Sequence, residues 1–319
     1  MIYTLPYKTK QFFFVLIKIS IVVAAFYFIY QKLTSNSAFN FYDFIHKNGV
    51  FSLKRFVILL ILTGINWFLE ILKWQKIASV TKKITFKNAY KQSLGALTAS
   101  LFTPNRIGEY GAKAIYYTKD SRKRILLTNL LGNILQMSAT TFLGIIGFSF
   151  FATKYNISLN YSKLLLLVIF TIISIGLGVF IIRKTKLSIK GFSLEKIKDF
   201  ILNYPKKLIF YGFCLSLLRY VVFSFQFYYL LGVFGINISY LHAMSIISSM
   251  YLLASIIPSI FIFDVFIKGS VAIYLFSFVG ANAFTILCII TLMWVFNFVF
   301  PSILGSYFVL NFNFPKDDL

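Results

Sequence analysis

An all-α, polytopic membrane fold is what this sequence predicts, and three observations carry it. Hydrophobic residues make up 59% of the chain and charged residues only 13%, where soluble domains carry about a quarter charged. Mean hydropathy is +0.80, with 39 Phe and 20 Tyr. The apolar runs are continuous rather than alternating, and short basic loops separate them. A bilayer offers no water to backbone N–H and C=O groups, so a spanning segment must pair them as a helix or in a closed barrel. Continuous runs select the helix.

Six runs are long enough for about 30 Å of hydrocarbon. They are roughly 12–30, 56–74, 124–151, 162–182, 206–234 and 282–309. The first follows Lys8 and Lys10 as a signal peptide would, but it is longer than the usual apolar core and lacks a small-x-small cleavage site. It is expected to remain as a helix. Two further regions, 86–118 and 240–280, each hold two shorter pieces broken at Pro104 or Pro258. Proline lacks an N–H and disfavours helix in the residue before it. Each region is therefore expected to be a hairpin of two short helices, re-entrant or crossing twice, that returns the chain to the side it left. The chain reads as one integral membrane domain, 1–319.

The formal charge of +23 comes from 32 Lys+Arg against 9 Asp+Glu. In a soluble protein that balance would suggest nucleic acid. In a membrane protein it points to basic cytoplasmic loops facing anionic lipid, and no nucleic-acid partner is expected. An inside N terminus puts Lys76–Lys91, Lys119–Arg124 and Arg183–Lys207 in the cytoplasm. The sparser loops 31–55 and 152–163 then lie outside, although Lys32, Lys47, Lys54 and Arg55 breach the rule. Both termini are thus expected on the cytoplasmic side of the plasma or inner membrane.

An internal repeat is legible. Thr85-Phe86-x-x-Ala89 precedes Pro104 at the spacing by which Ser239-Tyr240-x-x-Ala243 precedes Pro258. An acid and, four residues on, a lysine follow each proline: Glu109 with Lys113, and Asp264 with Lys268. One half covers about 56–151 and the other about 206–309, leaving 12–30 and 162–182 as extra helices. In the orientation above the two hairpins enter from opposite sides, an inverted repeat of the kind that places transporter sites where broken helices meet. Coincidence is the alternative, since small residues, aromatics and prolines recur throughout.

Ionisable groups in hydrocarbon cost roughly a few kcal/mol each and usually face a cavity or a partner. The candidates are Glu70, Glu109, Asp264, Arg106, Lys113, Arg219 and Lys268. Glu70 shares a helix face with Asn66, with snorkelling beside Lys73 and Trp74 as the alternative. Arg219 lies mid-helix with Ser216 and Gln226 on its face. Either it forms a buried ion pair with Glu70, Glu109 or Asp264, or it contacts an anionic ligand. Asn129, Asn133, Gln136 and Thr140 form one polar stripe that glues helices or lines a path. In the first hairpin, Pro104 opens a short helix where Asn105, Arg106 and free N–H groups would receive an anion. Gly108 and Gly111 would permit close approach by a helix or headgroup. Pairing of Arg106 with Glu109 is the alternative.

The stretch Thr103-Pro104-Asn105-Arg106-Ile107-Gly108-Glu109, with a second proline-plus-acid element later, resembles the lysylphosphatidylglycerol synthase transmembrane-domain family. These are flippase-like integral membrane proteins that include the membrane part of the multiple peptide resistance factor. The resemblance extends over about residues 12 to 310. It implies a role in moving or handling aminoacylated or glycosylated lipids, with Pro104, Arg106, Gly108 and Glu109, and also Pro258 and Asp264, in the lipid path. The later element departs from the family pattern, having Pro258-Ser-Ile-Phe-Ile-Phe-Asp264 where a glycine-rich turn and a glutamate are expected.

The reading is a flippase-like protein that translocates or handles a phospholipid or lipid-linked intermediate of the cell envelope. Its path residues are those motif positions with Asn105, Lys113, Arg219, Lys268, Glu70 and Asn133. The alternative is a membrane-embedded enzyme, or accessory subunit, of glycolipid or aminoacyl-lipid synthesis. In aminoacyl-lipid synthases of this type the transfer chemistry belongs to a separate soluble domain, and here the sequence ends nine residues past Leu310. Synthase activity is not expected. His46 and His242 are the only histidines, Cys214 and Cys288 lie in apolar runs, and no spacing suits a metal. No cofactor, metal or catalytic residue is expected. The partners are membrane lipids, anionic or lipid-linked, with a second copy or an envelope-synthesis protein as further candidates.

Overall fold

The computed structural model describes residues 52–101, 103, 108–156, 194–256, 264–313 and 315, together with Leu16, Ile19, Ser20, Val23 and Tyr27, which are helical. The side chains at 194–197 and 264–267 are outside that description, as are the expected helix 162–182 and the rest of 12–30.

Among the described residues every regular element is helical. In order they are α1 (Leu53–Ala78), α2 (Phe86–Ser100), α3 (Gly108–Ala114), α4 (Lys119–Lys154), α5 (Leu194–Leu202) and α6 (Lys206–Val233). There follow α7 (Tyr240–Ile256), α8 (Asp264–Ser277), α9 (Ala283–Trp294), a π turn (Val295–Val299) and α10 (Phe300–Leu310). Among the described residues four helical stretches are long and apolar enough to cross a membrane: α1, α4, α6 and the continuous run Ala283–Leu310. The chain is a polytopic helical membrane protein.

The helices outrun the apolar segments that announce them. α4 starts at Lys119 rather than 124, with Asp120 in its first turn, where a carboxylate complements the helix dipole. Thr85 caps α2 by accepting from the Asn88 N–H at 3.3 Å, and Asn282 caps α9 by accepting from Phe284 at 2.8 Å. Both proline-broken regions are hairpins of short helices, α2–α3 and α7–α8.

Contacts between distant segments sort the helix ends into two groups. The Tyr204 hydroxyl donates to the Ile77 carbonyl, and Tyr116 packs edge-on against Phe312 at 4.8 Å. Residues 77, 116, 204 and 312 therefore share one end of the bundle, the first end. At the other, second end, the Tyr155 hydroxyl meets His242 Nε2 at 2.6 Å, and Phe278 packs on Phe151 and Tyr155. It follows that α1 and Ala283–Leu310 run toward the first end, whereas α4 and α6 run away from it. Hairpin α2–α3 starts and finishes near the first end, and hairpin α7–α8 near the second. Helix α1 packs along α6, α2 packs on α10, and α7 packs on α4. Exchanging α1–α4 for α6–α10 turns the second and third pairings into each other and leaves the first unchanged.

Small residues let these helices meet closely, the usual device where lipid supplies no hydrophobic drive. A Cβ on Gly305 would collide with the Leu94 carbonyl and the Thr98 hydroxyl of α2. Thr98 also donates across that contact to the Ser302 carbonyl at 2.9 Å. On the other side Gly144 and Gly147 of α4 press against Leu252 and Ser248 of α7. Outward faces carry bare apolar groups such as Ile61, Phe68, Phe142, Phe150 and Phe210, as a lipid-facing surface requires.

The π turn has a chemical cause close by. Pro301 has no N–H to offer the Asn297 carbonyl four residues earlier. The Trp67 indole N–H of α1 donates to that carbonyl instead, at 3.0 Å, and the Asn297 amide donates to the Met293 carbonyl at 3.0 Å. The widened turn ties the last span to the first described one.

Gly305→Ala is expected to destabilise the protein by about 1–3 kcal/mol through overpacking. Gly64→Ala, where a Cβ meets nothing within 4 Å, is expected to be neutral or stabilising by up to about 1 kcal/mol. Thermal unfolding in one detergent compares them, and equal midpoints would contradict the packing of α2 on α10.

Candidate functional site

Helix α1 sets the site through one face. Thr63, Asn66, Trp67, Glu70, Lys73, Trp74 and Ile77 recur at three- and four-residue steps, so they form one stripe. The opposite face is apolar and exposed, with Leu60, Ile61, Ile65 and Phe68. In a soluble helix the polar face would point outward. Here it points in, because only the interior holds hydrogen-bonding partners.

Glu70 is the centre. Its Oε2 lies 2.7 Å from Lys73 Nζ and 2.7 Å from an Arg219 Nη1. Arg219 also donates from Nε to Asn66 Oδ1 at 3.0 Å and from Nη1 to Gln136 Oε1 at 3.4 Å. Lys73 donates to the same Gln136 oxygen at 3.5 Å, and the Gln136 amide donates to the Ser216 carbonyl of α6 at 3.4 Å. One carboxylate thus serves two cations from α1 and α6, with an amide of α4 closing the ring. The network continues through amides. Asn66 donates to Asn297 Oδ1 at 2.8 Å, Asn297 donates to Gln226 Oε1 at 2.9 Å, and Gln226 donates to Thr63 at 3.0 Å.

A second group lies against the first through hairpin α2–α3. Lys113 is 2% exposed and pairs with Glu109 at 2.8 Å. It donates to Asn129 Oδ1 of α4 at 2.9 Å and sits over the Trp74 ring, 4.3 Å from its centroid, a cation–π contact. The Trp74 indole donates to Gln92 Oε1 at 2.7 Å, and the Tyr117 hydroxyl donates to the same oxygen at 3.0 Å. Burial pushes the Tyr117 phenol up to about 12, which keeps it a neutral donor. Asn133 of α4 donates to the Tyr110 hydroxyl of α3 at 2.8 Å. Lys113 is close enough to add to the field at Glu70 and Lys73.

Counted by formal charge, these five groups are three cations and two acids. Next to Lys113, the Asn129 Nδ2 group is buried without a hydrogen-bond partner among the described residues. The formal surplus lies in the Glu70–Lys73–Arg219 group, while the unsatisfied Asn129 donor lies beside the matched Lys113–Glu109 pair; together they suit an anionic group.

Of the residues expected at the site, Glu70, Glu109, Lys113, Asn133 and Arg219 come together. Arg219 forms a partly buried ion pair with Glu70. Glu70 does not snorkel: its carboxylate turns inward, about 12 Å from the end of α1 at a rise of 1.5 Å per residue. The stripe on α4 binds three different elements through Asn129, Asn133 and Gln136, whereas Thr140 donates back to the Gln136 carbonyl of its own helix. Gly108 is packed inside its hairpin, against Thr103 and the Ala99 carbonyl. A Cβ on Gly111 would meet no atom within 4 Å among the described residues, so the close helix contact expected there is not made. Lys268 is half-buried on α8. Pro104, Asn105, Arg106 and Pro258 lie outside the described residues, as does the side chain of Asp264.

Sequence reasoning missed Asn297 and Gln92, and it gave Lys73 and Trp74 only the role of an interfacial anchor. A signal existed for Asn297, a lone amide in the most apolar span. Its partner is 231 positions away, and no local pattern could supply it.

Glu70→Gln strands Lys73 and Arg219 without a carboxylate and is expected to cost about 3–5 kcal/mol, as for other broken buried pairs. Thr63→Ala removes one neutral interhelical hydrogen bond and is expected to cost about 0.6 kcal/mol. Adding Arg219→Gln to Glu70→Gln should recover part of the loss. Unfolding in mixed micelles reads all three, and strictly additive losses would contradict the pairing.

A family model described as "Lysylphosphatidylglycerol synthase TM region" matches residues 15–305. No curated protein and no solved structure matches.

Proposed function

The chain belongs to the lysylphosphatidylglycerol synthase TM region family, and on that premise we propose that it moves phospholipid or lipid-linked headgroups through its interior. The observation that carries the reading is the surplus positive charge around Lys113, Glu109, Glu70, Lys73 and Arg219, with the orphan Asn129 donor beside it. A lipid phosphate supplies the missing negative charge and accepts from that donor, while its acyl chains stay in hydrocarbon. No catalytic step is assigned to these residues. The work is transfer of a polar group past a barrier that otherwise costs several kcal/mol or more.

The opposed running directions of α1–α4 and α6–α10 support an inverted repeat, in which each half contributes one hairpin from its own side. The first end carries Lys82, Lys83, Lys119, Arg122, Lys123, Lys206 and Lys207, which supports a cytoplasmic placement for that end and for the segment after Leu310. In this orientation the charged cluster lies nearer the cytoplasmic leaflet, where a headgroup would first be met.

Reconstitution into vesicles with dye-labelled phosphatidylglycerol and lysyl-phosphatidylglycerol tests the proposal. The protein is expected to expose inner-leaflet label to an external quencher faster than protein-free vesicles do. Replacing Lys113 and Glu109 together by Gln removes the cation without stranding its acid, and is expected to slow movement roughly tenfold, the worth of one charged hydrogen bond. Movement equal to protein-free vesicles across anionic, zwitterionic and glycosylated lipids would overturn the reading.

A further inference from the structure

A second polar site lies at the first end, away from the charged interior. The amphipathic helix α5 (Leu194–Leu202) packs beside the start of α4, and the Tyr204 hydroxyl holds the following turn to the Ile77 carbonyl of α1. Between them is a cavity of about 330 Å³ that opens outward. Val80, Leu127 and Phe200 give it an apolar wall, and Arg124, Asp199 and Asn203 give it a polar one. Neither Arg124 nor Asp199 takes part in an ion pair among the described residues. The surface beyond is greasy, with Leu202 65% exposed and Phe210 70% exposed, and Lys198, Lys206 and Lys207 fringe it. Bare apolar groups next to lysines mark the level of a membrane interface.

We propose that this cavity binds the headgroup of a zwitterionic, amine-bearing phospholipid from the adjoining leaflet. One cation and one anion, both unpaired, suit a ligand that carries one charge of each sign. The phosphate is received by the Arg124 guanidinium and the Asn203 amide, and the ammonium by the Asp199 carboxylate. The glycerol and upper acyl chain lie on Val80, Leu127 and Phe200 and leave over Leu202 and Phe210. An anionic headgroup would fit less well, because it has no ammonium to neutralise Asp199. A trimethylated amine carries the charge but has no N–H to donate. The site is separate from the interior cluster, and occupancy there would anchor α5 to the bundle.

Native mass spectrometry of the full chain, released from micelles with phosphatidylethanolamine, phosphatidylcholine and phosphatidylglycerol at equal concentration, tests this. Phosphatidylethanolamine is expected to be retained roughly tenfold over the other two, the worth of one charge-assisted hydrogen bond. Asp199→Asn should lower its retention to that of phosphatidylcholine, and Arg124→Gln should lower retention of all three. Both side chains are exposed, so neither change should alter the unfolding temperature. Equal retention of the three lipids would overturn the proposal, as would a preference that Asp199→Asn leaves intact. Soluble glycerophosphoethanolamine competing as well as the lipid would remove the role given to the apolar wall and overturn the lipid assignment. The readout is retention rather than transport, so this proposal and the translocation reading fail separately.

Discussion

One carboxylate shared by two cations holds the interior of this protein in register. Glu70 meets Lys73 from its own helix and Arg219 from α6, 149 positions away. In hydrocarbon none of the three can stay charged alone, so the separation of α1 and α6 is set by the geometry of that contact. The amide relay through Asn66, Asn297 and Gln226 then extends the constraint to the last span. Neutral interhelical bonds in membranes contribute little individually, about 0.6 kcal/mol on average. The ionic centre therefore dominates, and the amides serve mainly to leave few polar atoms unmatched.

Packing follows from the same absence of water. Helices in lipid gain little from burying leucine, since lipid tails are as apolar as a protein core. Close backbone approach replaces that drive at Gly305 against α2 and at Gly144 and Gly147 against α7. One of those contacts joins α2 to α10 and the other α7 to α4. The proline that breaks the last span is matched by a donor from α1, so the π turn carries a tertiary bond where an ordinary helix would carry a local one.

The membrane class, the four described long spans and the hairpins were legible in the sequence because they depend on local quantities: run length, proline position and charge. The face of Glu70 with Asn66 and the stripe from Asn129 to Gln136 were legible for the same reason, whereas the pairing of Arg219 was one of two alternatives and its acid is 149 positions away. Helical spacing alone puts such residues in line. What spacing does not encode is the partner. Lys113 stands four residues from Glu109, a pairing that local geometry favours, yet its place over Trp74 depends on how the hairpin docks. Asn297 is the one amide in the run Ala283–Leu310, and its role depends on two helices far off in the chain. Gly111 meets no described helix, since a small residue permits an approach but does not produce one.

On the proposed translocation, Lys113, buried among helices, would meet the phosphate of a lipid. Solid-state NMR on protein with ¹⁵N at the lysine side chains, in phospholipid bilayers, measures this through dephasing of nitrogen by phosphorus. A water-protected lysine signal, lost in Lys113→Arg, is expected to be dephased by lipid ³¹P. A Lys113 signal that stays protected from water yet shows no coupling to phosphorus in anionic, zwitterionic or aminoacylated bilayers would contradict it.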